Sequence, residues 1–193
     1  MYVDRVIFPI NSLGPGNRIV IWVSGCSKHC KECANPELWE KQNGQLIEID
    51  ILIKSLERCL LEADGVTITG GDPCEQFSEL MLLTSKLKKY VNDIIVYTGY
   101  TYDELKHTIS DDEWEKLHQN VNILIDGRYI SQLNDSKIAL RGSTNQNIIY
   151  LNADDELREK YSVYLLQGRT VQNVVYNNSV ISVGIHNKSY EEC

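Results

Sequence analysis

The sequence predicts an α/β fold: an open, partial parallel β/α barrel with a small C-terminal β-hairpin appendage. Three observations predict it. Strand-length apolar runs alternate with helical patterns through most of the chain, as in parallel strands joined by helical crossovers. The best of these runs, Ile19-Val20-Ile21-Trp22-Val23, is apolar on both faces, which suits a buried parallel strand. The units are too few to close an eight-fold barrel.

The elements follow in order. Residues 3–9 form a β-type stretch ending at Pro9, and Gly14-Pro15-Gly16-Asn17 marks a turn. The apolar strand 19–23 ends at Ser24-Gly25, and a cysteine-rich loop runs from Cys26 to about Asn43. Residues 50–63 read as a helix capped by Asp50, with Leu52, Leu56, Cys59 and Leu60 on one face. Asp64-Gly65 is expected to end it. Val66-Thr67-Ile68-Thr69 is a strand, followed by Gly70-Gly71-Asp72-Pro73. Residues 76–91 form a second helix and Ile94-Ile95-Val96-Tyr97 the next strand. Thr101 with Glu104, and Ser110 with Glu113, have capping-box spacing. Residues 122–125 and 147–151 read as further strands. Val174-Val175-Tyr176 and Val180-Ile181-Ser182-Val183 flank Asn177-Asn178-Ser179, which predicts a hairpin. The division is a core domain over 1–151 and an extension over 152–193 packed on it.

Composition narrows the class. The 193 residues are 42% hydrophobic and 24% charged, with a formal net charge of −8. No long Lys/Arg run appears, which argues against nucleic acid as a partner. No apolar run approaches the roughly 20 residues that span a bilayer, and the N-terminus lacks a signal-type pattern. The expected location is the cytoplasm, with no membrane partner. Six cysteines in a reducing compartment favour metal or catalytic roles over disulfides.

Cys26-Ser-Lys-His-Cys30-Lys-Glu-Cys33 carries the chemistry. Three thiolates on one loop converge on a soft metal centre. A four-iron cluster usually takes four cysteines. Three leave one iron open, and an open position lets a metal bind and activate a substrate, as at catalytic zinc sites. Two other readings stand beside this one. Cys26, His29, Cys30 and Cys33 also offer four zinc ligands, and the clustering can be incidental. Cys59 and Cys74 read as packing residues, and Cys193 as a terminal thiol.

These motifs resemble those of the radical S-adenosylmethionine superfamily. Gly14-Pro15-Gly16-Asn17-Arg18, Val23-Ser24-Gly25-Cys26, Asn35 and Trp39 resemble the activating enzymes of glycyl radical enzymes. Ile125-Asp126-Gly127-Arg128-Tyr129 and Arg141-Gly142-Ser143-Thr144-Asn145-Gln146 are similar to the activases of anaerobic, class III ribonucleotide reductases. The resemblance covers residues 3–151. It implies a 4Fe-4S cluster on Cys26, Cys30 and Cys33 and reductive cleavage of S-adenosylmethionine to a 5′-deoxyadenosyl radical. In the activases that radical takes a hydrogen atom from a backbone glycine of the partner, here anaerobic ribonucleotide reductase. A flavodoxin- or ferredoxin-type electron donor is implied as well. The alternative is a radical enzyme of the same fold acting on a peptide or small molecule. A third reading is a non-enzymatic metal-binding module.

The resemblance also implies cofactor contacts. Gly70-Gly71-Asp72 looks like the family's Gly-Gly-Glu segment: glycines admit close backbone approach, and a carboxylate accepts from the cofactor's ammonium group. Asn35 matches an asparagine placed near the cofactor, although a turn-forming role explains it equally. Thr98 closes one strand, and Asp126 and Arg128 follow another; ligands bind at such strand ends. Arg128 either clamps the cofactor carboxylate or pairs with Asp126. Two features depart from the pattern. Glu32 stands where many members have an aromatic residue, and the tail beyond Leu151 is longer than small activases need.

Overall fold

The computed structural model describes residues 1–186. In chain order the elements are β1 (Tyr2–Ile10), β2 (Arg18–Val23), β3 (Gln45–Leu46), α1 (Ile49–Leu60), β4 (Gly65–Gly70), α2 (Phe77–Leu87) and β5 (Ile94–Tyr97). They continue with α3 (Tyr102–Thr108), α4 (Asp111–Asn120), β6 (Ile123–Asp126), β7 (Asn147–Tyr150), α5 (Asp155–Leu166), β8 (Val171–Tyr176) and β9 (Ser179–Gly184).

Seven strands form one open sheet in the order β3-β1-β2-β4-β5-β6-β7, and β8-β9 form a separate hairpin. The centre, β2-β4-β5-β6, is parallel. The flanks are antiparallel: β3 on β1, β1 on β2, and β7 on β6. The fold is therefore mixed α/β with a parallel centre rather than parallel throughout. Connection length explains the difference. Parallel neighbours need a crossover of a dozen or more residues, usually helical. Only residues 11–17 join β1 to β2, and the segment between β6 and β7 contains one short 3-10 turn, Ser131–Leu133.

Strand periodicity divides the core. Alternate residues point to opposite faces. Ile19, Ile21, Val23, Val66, Ile68, Val96 and Leu124 share a core with buried residues of α1 to α4. Val20 and Trp22 join Ile10, Leu13, Leu38 and Val183, while Ile95, Ile123 and Ile125 pack with Ala139, Leu140, Tyr161 and Tyr164. Helices α1 to α4 thus cover one face of the sheet. The tail and the loops between β6 and β7 cover the other.

Local signals mostly resolve as expected, with three corrections. Both capping boxes form, at Thr101–Glu104 and Ser110–Glu113. Asp50, however, is not a cap: α1 starts one residue earlier with Glu48 at the N-cap position and no side-chain cap. Asp50 instead pairs with Lys86 at 2.6 Å. Helix α1 ends at Leu60, and Gly65 opens β4 rather than closing the helix. Its lack of a side chain matters for packing, because a Cβ there would lie 2.6 Å from Arg18 Nη1 and from the Asp93 carbonyl. Finally, α5 has no counterpart in the apolar pattern. It buries only Tyr161 and Tyr164, whose hydroxyls reach Asp93 Oδ1 (2.6 Å) and the Asn11 carbonyl (3.0 Å).

Candidate metal centre

The parallel register brings four loops to one edge of the sheet. Val23 is level with Gly70, Ile68 with Val96, and Tyr97 with Ile125. The segments after β2, β4, β5 and β6 therefore leave side by side, at the end where α/β sheets bind ligands. A cavity of about 920 Å³ opens there. Cys26, Cys30, Cys33, Asn35, Gly70, Gly71 and Thr98 all line it. Asp72, Asp126 and Arg128 do not.

The cysteine loop is held by its neighbours rather than by regular structure. Gly25 N and Cys26 N donate to the carbonyls of Leu38 and Trp39, both at 2.8 Å. Ser27 donates to Glu75 from its backbone (2.8 Å) and its hydroxyl (2.5 Å). His29 and Glu32 have φ of 45° and 59°, left-handed values uncommon for such residues. The His29 ring packs on Trp39 with centroids 4.6 Å apart. Lys28 Nζ lies 3.3 Å from the centre of the Tyr100 ring.

The Gly70-Gly71 turn is pressed against this loop. Gly71 N donates to the Val23 carbonyl (2.7 Å) and Asp72 N to the Gly25 carbonyl (2.8 Å). Gly70 has φ of +110°, and a Cβ on it would sit 2.5 Å from the Val23 carbonyl oxygen. Only glycine fits such a turn without strain.

Asp72 works behind the cavity wall. It is fully buried. Its carboxylate accepts from Cys74 N (3.0 Å), Thr98 Oγ1 (2.9 Å) and Gly99 N (3.0 Å). It thereby ties the loop after β4 to the loop after β5. Burial pushes its carboxyl up to about 6, against the pull of those three donors. Asp126 acts similarly at the end of β6, accepting from Asn147 N, Asn147 Nδ2 and Tyr102 N at 2.8–3.0 Å. Arg128 is exposed and forms no ion pair with Asp126 among the described residues.

The donor set fits a multi-iron cluster. Cys26, Cys30 and Cys33 are free thiols, each half-buried. A single zinc with Zn–S near 2.3 Å would gather its sulfurs to about 3.8 Å. The three thiols are not gathered within 4.8 Å of one another among the described residues. What lies within that distance of Cys26 Sγ is a pair of carboxylates, Asp72 and Glu75. Both already accept hydrogen bonds, so they act on the thiol as charges. Burial pushes the Cys26 thiol up to about 11, and these carboxylates push the same way. Burial also raises Cys30, while the nearby Arg128 guanidinium opposes the shift. Polar atoms beside the cavity also lack partners among the described residues: the Tyr97 hydroxyl and Arg5 Nε are buried and unpaired there.

Sequence reasoning missed several wall residues. Gln146 bridges the loop after β6, donating to the Gly127 carbonyl and accepting from Gly142 N, both at 2.8 Å. Tyr129 lines the cavity, as do residues 181–186. Hairpin patterning announces β8 and β9 but holds no signal for where they dock. Cys74 is buried in the core with its thiol raised by burial, Cys59 is half-buried on α1, and Cys193 lies outside the described residues. No helix is long and apolar enough to cross a membrane among the described residues.

Comparison with known proteins agrees with this donor set. A family described as a 4Fe-4S single cluster domain matches residues 12–149. The anaerobic ribonucleoside-triphosphate reductase-activating protein of Escherichia coli K12 is 30% identical over 152 residues, covering 75% of this chain and 96% of that protein. The proteins of the same name from Vibrio cholerae and Enterobacteria phage T4 are each 34% identical, covering 73% and 77% of this chain and 93% of theirs. The solved structure of QueE from Escherichia coli aligns with a TM-score of 0.45 at 23% identity, over 52% of this chain and 53% of that one. The chain belongs to the 4Fe-4S single cluster family, among the anaerobic ribonucleoside-triphosphate reductase-activating proteins.

Proposed function

We propose that this chain is a radical S-adenosylmethionine activase that generates a glycyl radical on anaerobic ribonucleotide reductase. The observation that carries the reading is the shared cavity: three free thiols on one loop line the same cavity as the Gly-Gly turn and Thr98. Cys26, Cys30 and Cys33 hold a 4Fe-4S cluster, leaving one iron without a protein ligand. When bound, such a cluster supplies one-electron reduction of the sulfonium of S-adenosylmethionine, which yields methionine and a 5′-deoxyadenosyl radical.

The chain's own residues bind and align. Gly70 and Gly71 let the backbone approach the cofactor closely, and Thr98 and Asn35 offer polar contacts on the same wall. Asp72 and Asp126 serve as positioning residues, because their carboxylates join adjacent loops. Arg128 is free to clamp a carboxylate on ligand entry. The open sheet, with helices on one face and the cavity at the carboxyl ends of its parallel strands, is consistent with a partial barrel. The extension over 152–193 is a second unit, and its described part, residues 152–186, packs on the core. The electron comes from a flavodoxin- or ferredoxin-type donor, and the setting is an anaerobic cytoplasm.

Anaerobic purification tests the chemistry. The expected result is a brown protein with about four irons per chain, which forms 5′-deoxyadenosine from S-adenosylmethionine under strong reductant. A colourless protein that contains zinc and no iron overturns the reading.

A further inference from the structure

The matching family stops at residue 149, yet the tail beyond it helps to build the site. Ile181, Ser182, Val183, Ile185 and His186 line the same cavity as the three cysteines. The hairpin is firmly seated there. Val183 is buried among Ile10, Leu13, Val20, Trp22 and Leu38, and its carbonyl accepts from Ser12 Oγ at 2.7 Å. Gln172 clips β8 to the Pro9 carbonyl and to Asn11 N, both at 3.0 Å. Arg169 joins the root of the hairpin to the loops after β6, donating to Asn134 Oδ1 and the Arg141 carbonyl at 2.6 Å and to the His186 carbonyl at 3.2 Å.

The outer face of the hairpin is different. Val175 and Val180 are a cross-strand pair, and they are 79% and 71% exposed. They add nothing to the core. From Val171 to Ile185 the chain carries no charged residue, although 24% of all residues are charged. A neutral wall about 20 Å long is a poor match for a phosphorylated metabolite and a good match for a stretch of polypeptide. The cavity volume lies near the top of the range for small-ligand sites, which leaves room for chain beside a cofactor.

We propose that the β8–β9 hairpin is the docking wall for the partner reductase. The glycine-bearing segment enters between the hairpin and the cysteine loop, and the reductase covers Val175 and Val180. This rests on the activase reading. The test is glycyl radical formation against reductase concentration, with reconstituted wild type, Val175→Lys/Val180→Lys, and Leu61→Lys, just beyond the end of α1, as an equally exposed apolar control. The double variant is expected to raise KM for the reductase by about tenfold, the scale of one interface residue, with kcat, iron content and partner-free 5′-deoxyadenosine formation at wild-type values. The Leu61 variant is expected to match wild type. An unchanged KM in the double variant overturns the proposal, as does a loss of iron and kcat with no change in KM. A wild type that makes 5′-deoxyadenosine but no radical in the reductase overturns the activase reading, and this inference with it.

Discussion

The two ends of the parallel sheet are built on opposite principles. At the amino end, Arg18 is completely buried and its guanidinium is saturated. It donates to Thr67 Oγ1 (2.8 Å), Asp93 Oδ2 (2.8 Å) and the Val66 carbonyl (2.9 Å). Tyr161 completes Asp93 from α5. At the carboxyl end the thiols are free, Tyr97 and Arg5 keep unpaired polar atoms, and backbone strain sits at His29 and Glu32. Unpaired buried polar atoms and strained φ values cost stability. Their concentration at one end shows which end is shaped for a ligand and which for cohesion.

Substitutions should separate the two ends. The largest functional effect is expected for Cys26→Ala, Cys30→Ala or Cys33→Ala. Each should abolish cluster assembly and 5′-deoxyadenosine formation, while denaturant unfolding of the iron-free chain shifts by no more than about 1 kcal/mol. Iron analysis beside urea titration reads both. The largest stability effect is expected at the amino end. Asp93→Ala leaves Arg18 buried without its counter-ion and should cost about 3–5 kcal/mol; a loss under 1 kcal/mol would show that the pair is dispensable. The protein that remains folded should still take up iron.

Asp72→Ala is the intermediate case. It removes the acceptor of three hydrogen bonds and should destabilise by about 1–3 kcal/mol. It should also raise KM for S-adenosylmethionine, because the Gly70-Gly71 turn loses its tie to Thr98 and Gly99. Iron content near wild type separates this positioning role from a ligand role. The smallest effect is expected for Tyr161→Phe, about 1 kcal/mol with unchanged turnover. A large loss of turnover there would break the division between the ends.

Most of the carboxyl end was legible because its signals are local. The cysteine spacing, the Gly-Gly turn and the two capping boxes each depend on residues within a few positions of one another. Strand β5 coincides with Ile94–Tyr97 because an apolar run between polar boundaries admits little choice. The amino end was not legible. Arg18 and Asp93 are 75 residues apart and look like ordinary surface charges until the sheet brings them together. The direction of β1 and β7 depends on the connections and not on the strands themselves. Helix α5 carries too few apolar residues to declare itself, since its anchors are two tyrosines with polar tips. The surroundings of Asp72 were not legible for a related reason. Sequence identifies a carboxylate after a Gly-Gly turn, but not that three donors on its own scaffold have already claimed it.

The central claim is that the carboxyl end makes a radical and passes it to a protein glycine. Electron paramagnetic resonance of the anaerobic ribonucleotide reductase tests it most directly, after incubation with the reconstituted chain, S-adenosylmethionine and reductant. The account predicts a glycyl radical signal on the reductase that disappears with the Cys26→Ala chain. A silent reductase in the presence of an iron-loaded, S-adenosylmethionine-cleaving wild type, or an undiminished signal with Cys26→Ala, would contradict it.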